Sequence, residues 1–227
     1  MKFKTAIAAA LIAAALPTAV QAAEFKDTKG HWAEAAVNRL ADKGIVSGVS
    51  ADKFNPEGIV TRAEFLRMIM GAANIKTSEY RKGECLDVKE NKWYAGYVQG
   101  ALDAGIIPAE MIDFFDVNVV FSDDGSRAIY RGDFQPDRPI MREEMAALAM
   151  TAYQYWTNVD TMQETKPSGE MEFIDIDRLS SWALPYMRLA IAQGFISGMD
   201  DKNLRPLATA TRAQAAVLIN NLMDKMQ

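Results

Sequence analysis

The 227-residue sequence predicts a mainly α protein: three helix-loop-helix modules gathered into a compact pseudo-threefold cluster, with a short β-hairpin inserted in the second. Three observations carry this reading. One series of motifs recurs three times in the same order, apolar residues within the copies recur at i, i+3, i+4 and i+7, and glycines and prolines punctuate the copies at matching distances.

The chain opens with Lys2 and Lys4, an almost wholly apolar run from Ala6 to Leu16, a break at Pro17, and small side chains in Val20-Gln21-Ala22. That pattern reads as a secretory signal peptide over residues 1–22, cleaved after Ala22. The run is too short for a membrane span, which needs roughly 20 apolar residues, and no later segment reaches that length without charges. The expected mature chain of 205 residues is therefore secreted, with no transmembrane segment. It carries 23 basic and 30 acidic residues, a balance that disfavours nucleic acid as a partner. With one Cys and one His, a disulfide framework and the usual zinc ligand sets are excluded, and no cofactor or metal motif stands out. Cys85 reads as a small buried hydrophobe.

Each copy begins with an aspartate motif: Phe25-Lys-Asp27, Cys85-Leu-Asp87 and Phe173-Ile-Asp175. A tryptophan follows (Trp32, Trp93, Trp182), and 12 residues later a glycine opens Gly44-Ile-Val-Ser-Gly48, Gly105-Ile-Ile-Pro108 or Gly194-Phe-Ile-Ser-Gly198. A Pro then precedes an Arg by six residues, at Pro56 and Arg62, Pro136 and Arg142, Pro206 and Arg212. Trp and Arg are 30 residues apart in copies one and three but 49 in copy two, so copy two carries an insertion of 19. The module boundaries are 23–75, 85–155 with the insertion over about 109–133, and 171–227.

In the first helix of copy one, Ala33, Ala36, Val37 and Leu40 form one apolar stripe. Gly30, Asn91 and Ser180 are the expected N-caps of the three first helices, and Gly44, Gly105 and Gly194 supply the left-handed residue that ends them. The second helix of copy one starts at the capping box Thr61-Arg-Ala-Glu64, with Phe65, Leu66, Ile69 and Ala73 on its apolar face. Copy three repeats the box as Thr211-Arg-Ala-Gln214, whereas Met141-Arg-Glu-Glu144 in copy two puts a thioether where the amide acceptor belongs, a loss of about 1 kcal/mol. Within the insertion, Val117 to Phe121 and Ala128 to Tyr130 flank Asp123-Asp-Gly-Ser126, which is hairpin chemistry. The alternating carboxylates and distal Glu of a calcium loop are missing there, so that segment reads as a plain turn.

These motifs resemble those of the S-layer homology family: Phe-x-Asp, His-Trp-Ala at His31-Trp32-Ala33, the Gly-Ile-Val-x-Gly loop, Phe-x-Pro at Phe54-Asn-Pro56, and Thr-Arg-Ala-Glu. Copy one matches nearly throughout, copy three matches well, and copy two diverges. The resemblance implies a three-pronged domain that anchors proteins noncovalently to cell-wall polysaccharide or a peptidoglycan-linked polymer, pyruvate-bearing acidic polymers among them. It implies binding in grooves between adjacent modules. Arg62, Arg142 and Arg212 would meet the acidic ligand, with Thr61, Glu64 and Thr211 beside them, the loops Gly44, Ser47, Gly48 and Gly194, Ser197, Gly198, and the nearby Asp27, Asp175, Trp32 and Trp182.

Physical chemistry gives the arginines independent weight. A cation in the first turn of a helix opposes the macrodipole by some 0.3 to 1 kcal/mol, and the sequence makes that choice three times. An anion at the helix start removes the conflict; pairing with acids of a neighbouring copy is the plain alternative. The tryptophans read first as core, with an edge available to a sugar groove, and His31 needs no role beyond packing or capping. Pro108 and Met141 mark copy two as the altered site, leaving two good grooves. A secreted glycan-acting enzyme is disfavoured because no carboxylate pair stands out and the sole His has no nucleophile motif. A protein-interaction or surface-lattice component, using the hairpin to meet other surface proteins, is the remaining alternative.

Overall fold

The computed structural model describes residues 25–82, 85–114, 120–121, 128–129, 132–158, 173–200 and 202–226. The expected signal peptide, the turn Asp123–Ser126 and residues 159–172 lie outside these residues.

The architecture is mainly α. The first helices of the copies are α1 (Glu34–Asp42), α3 (Ala95–Asp103) and α5 (Leu184–Ala192); the second are α2 (Arg62–Ala72), α4 (Arg142–Thr157) and α6 (Arg212–Lys225). In the insertion, β1 (Asp113–Phe114) pairs antiparallel with β4 (Gly132–Asp133), and β2 (Val120–Phe121) with β3 (Ala128–Ile129). The hairpin thus forms around the expected residues.

The stripe Ala33, Ala36, Val37 and Leu40 is buried, and Gly44, Gly105 and Gly194 end their helices at φ of 69°, 67° and 77°. The N-terminal expectation needs correction. Helices α1, α3 and α5 start after Ala33, Tyr94 and Ala183, none of which caps through its side chain, instead of at Gly30, Asn91 or Ser180. A backbone turn takes the place of the cap: His31 N–H donates to Thr28 O, and Glu34 N–H to His31 O. Equivalent bonds run from Ala95 to Lys92 and from Ala183 to Ser180, so orphan amides find carbonyls, and at α1 side chains help as well: Ala33 N–H donates to His31 Nδ1 (3.2 Å) and Gly30 N–H to Glu34 Oε2 (2.8 Å).

A nine-residue helix is marginal on its own and depends on packing. Here the partner comes from a different copy: α3 packs on α2, α5 on α4, and α1 on α6, while α2, α4 and α6 meet one another at the centre. Helix α4 is buried over its whole first part, from Arg142 to Ala152, because the other second helices and α5 surround it.

Hydrogen bonds between the segments leading into the second helices follow the same order. Val60 N–H donates to Ala210 O (3.1 Å), Ala210 N–H to Ile140 O (2.9 Å), and Ile140 N–H to Val60 O (3.0 Å), which closes a ring of three. One step outward, Arg62 N–H reaches Arg138 O, Arg142 N–H reaches Ala208 O, and Arg212 N–H reaches Gly58 O. The first free amides of each second helix are therefore satisfied by the proline loop of the next copy.

Candidate functional site

The aspartate motifs organise the proline loops. Asp27 accepts the amides of Phe54 (2.8 Å) and Asn55 (2.7 Å), Asp87 those of Phe134 (2.9 Å) and Gln135 (2.6 Å), and Asp175 those of Leu204 (2.8 Å) and Arg205 (2.7 Å). Asn55, Gln135 and Arg205 have φ of 60°, 54° and 52°, a region that side chains disfavour, and the two-pronged carboxylate holds each of them there. Burial pushes the Asp27 carboxyl up, but the amides outweigh it and hold the group below its ordinary value of 3.8; at Asp175 the Leu204 amide leads the same lowering. The structure thus gives Asp27 and Asp175 a loop-clamping role.

Each arginine crosses to the following copy. Arg62 is 2% exposed and pairs with Glu144 while its Nη2 donates to Met111 O. Arg142, 4% exposed, donates Nε to Leu204 O (3.0 Å) and Nη2 to Ser197 O (2.7 Å). Arg212 donates Nε to Phe54 O (2.9 Å) and Nη2 to Ser47 O (2.7 Å), its guanidinium 4.4 Å above the Phe54 ring. A carbonyl-rich loop accounts for a cation at the helix start: the side chain leaves the helix and pins the neighbouring glycine loop. It is the carbonyls of Ser47 and Ser197, and not their hydroxyls, that face the arginines.

This crossing reassigns the sites. Arg142 belongs with the copy-three loop, Arg212 with the copy-one loop, and Arg62 with the altered copy-two loop, so the weakened partner of Pro108 is Arg62 and not Arg142. Arg62 is neutralised by Glu144, which Arg138 also engages. Arg142 and Arg212, by contrast, have no carboxylate in ion-pair contact among the described residues, and Nη1 of each has no protein partner there. Burial brings Arg142 down to about 10, still a full cation at neutral pH, and burial likewise lowers Arg212.

Two grooves display the contrast. The copy-three groove, of about 430 Å³, has Arg142 and the Ser197-Gly198 loop on one side, Thr211 and Gln214 at the start of α6, and Trp32 with Glu57 from copy one on the rim. Trp32 is 62% exposed and Trp93 53%, which corrects the reading of these tryptophans as core; Trp182 is half-buried. The copy-two groove is lined by Arg62 and Arg138 but also by Glu110, Asp113, Glu143 and Glu144, with Trp182 on its rim. Burial pushes the Glu143 carboxyl up, against bonds from Ser180 N–H and Oγ. An incoming anion meets a cation in the first groove and an excess of carboxylates in the second.

The remaining candidates each have a part in the frame. Thr61 and Thr211 accept Glu64 and Gln214 amides, and the N3 side chains accept in return, as the capping boxes predict. At Met141 half of the box survives, since Glu144 still accepts the Met141 amide (2.9 Å). Gly44 and Gly194 end helices. A Cβ on Gly48 or Gly198 would strike the ring of Phe25 or Phe173, so those glycines are needed for packing. Glu57 was not foreseen; its only mark in the sequence is that it follows Pro56.

Residues 24–66 and 172–216 match the model of the S-layer homology domain. Over 201 residues, 88% of this chain, the sequence is 35% identical to an amylopullulanase of Thermoanaerobacterium thermosulfurigenes and 34% identical to exoglucanase XynX of Acetivibrio thermocellus. Over 99% of its length it is 25% identical to a surface-layer 125 kDa protein of Lysinibacillus sphaericus. The chain spans 10%, 16% and 17% of these relatives' lengths.

Proposed function

We propose that this chain, a carrier of S-layer homology domains, is a secreted cell-surface protein that anchors noncovalently to the bacterial cell wall by holding an acidic polysaccharide in its inter-module grooves. The observation that carries this reading is Arg142: a buried cation with an unused Nη1 in a groove whose rim bears an exposed indole. An acidic substituent, such as a pyruvate ketal carboxylate, supplies the missing counter-charge at Arg142, and a sugar face stacks on Trp32. Arg212 offers the same unused donor in the copy-one groove, whereas the carboxylates of the copy-two groove repel such a ligand. The reading is of an anchor and not a catalyst: the relatives named as enzymes match this chain over only a tenth to a sixth of their length.

Because Arg142 is structural as well as available, the cleaner probe is Trp32→Ala. Its side chain stands in solvent, so the melting temperature should not move, while retention on purified cell walls should fall about tenfold, a typical loss for an exposed aromatic anchor. Walls stripped of their secondary polymer should retain neither protein. Undiminished binding by the variant sinks the groove assignment, and full binding to stripped walls sinks the polymer assignment.

A further inference from the structure

The Arg212 side of copy one shares the frame of the copy-three groove but not its floor. Thr211, Gln214, Val217, Leu218 and Asn221 of α6 line the copy-three groove. Counting from the equivalent arginines, their counterparts in α2 are Thr61, Glu64, Arg67, Met68 and Gly71. Where copy three has Val217, copy one has Arg67, close enough to Arg212 that their charges repel. Beyond Arg67, α2 leads into a cavity of about 320 Å³ bounded by Lys43, Arg67, Gly71, Asn74, Lys76 and Tyr97.

This cavity has three cations on its walls and no carboxylate, in a chain whose formal net charge is −5. None of the three is in an ion pair among the described residues; Lys76 donates only to Asn74 Oδ1 (3.1 Å). Lys43 is the C-cap of α1, where the helix dipole favours a cation. Arg67 has no such reason, since it lies in the middle of α2. Three cations border one cavity that has no carboxylate on its wall, so an anion there finds favourable charge from each of them.

We infer that the copy-one groove continues past Arg212 into a second anion subsite, formed by Lys43, Arg67 and Lys76, which takes a phosphate or carboxylate group farther along the same acidic glycan. This rests on the groove reading above and adds to it. Copy one then holds two successive charges of a polyanion, where copy three holds one beside its indole.

The test uses the triple variant Lys43→Gln, Arg67→Gln, Lys76→Gln, whose altered side chains are exposed or half-buried and leave the core intact. Binding of the full chain to purified walls, to oligogalacturonate, to phosphorylated dextran and to plain dextran is measured across a range of salt. The wild-type protein should bind at least one charged glycan and not plain dextran. The variant should lose about tenfold or more at low salt, with a flatter dependence on salt concentration. Preference for oligogalacturonate or for phosphorylated dextran tells which anion the subsite takes. Equal binding and equal salt dependence for variant and wild type overturn the subsite and leave the groove reading standing. A Trp32→Ala protein that binds walls normally, with the triple variant defective, overturns the groove reading instead.

Discussion

Asp27, Asp87 and Asp175 show how little a repeated residue discloses of its task until its partners are in place. Each was visible in the sequence as part of a motif, but the amides it holds are 27 to 48 residues away and only the fold brings them near. Two charge-assisted bonds to backbone make Asp27→Asn cost about 2 kcal/mol in urea unfolding. The pH dependence follows from the lowered carboxyls of Asp27 and Asp175: their stabilisation is complete above the unfolded value of 3.8 and fades as pH falls through the lower folded values. Stability of the wild type should therefore drop more steeply below about pH 4 than that of Asp27→Asn with Asp175→Asn. The arginines teach a similar lesson. Their recurrence against the helix dipole was legible, yet their destination was not, because no local pattern says which copy's loop a side chain will reach. Arg62→Ala leaves Glu144 buried with Arg138 alone and should lower stability by about 3 kcal/mol.

Among the elements, the second helices were the most readable, since capping box, apolar face and preceding proline all agreed. Their starts appear where the boxes placed them, at Arg62 and Arg212. Helix α4 begins at the matching residue despite Met141, because it is held from outside by the Ala208 carbonyl and by burial on several sides. Restoring the missing acceptor with Met141→Thr should raise stability by about 1 kcal/mol, seen as an upward shift of about 2–4 °C in the melting temperature. The first helices were less legible at their beginnings. The capping-type residues two positions before each tryptophan lie in a backbone turn, and the helices start three residues later, after Ala33, Tyr94 and Ala183. The same turns expose two of the tryptophans: Trp32 and Trp93 lie ahead of α1 and α3, outside the helical stripe that would bury them, whereas Trp182 packs partly against the core.

At the scale of the whole molecule, the repeat in the sequence is not the unit that packs. Each first helix rests on the preceding copy's second helix, α1 rests on α6, and the copy-three groove draws its arginine, its loop and its tryptophan from three different copies. Copy number and order were readable from spacing alone; this interleaving was not, since spacing carries no information about which neighbour a face meets. A chain truncated after residue 158 loses the Ala210 link of the hydrogen-bonded ring and the surface that covers α1 and α4. It should lose its near-ultraviolet circular dichroism while retaining helical signal in the far ultraviolet. The closed ring has one more consequence. Because Val60, Ile140 and Ala210 each give one bond and receive one, the assembly has no first or last member, and the chain's own starting point is arbitrary with respect to it. A circular permutant that begins at copy two, with copies three and one joined by a flexible linker across the α1–α6 contact, should fold to the same ring and keep the same grooves.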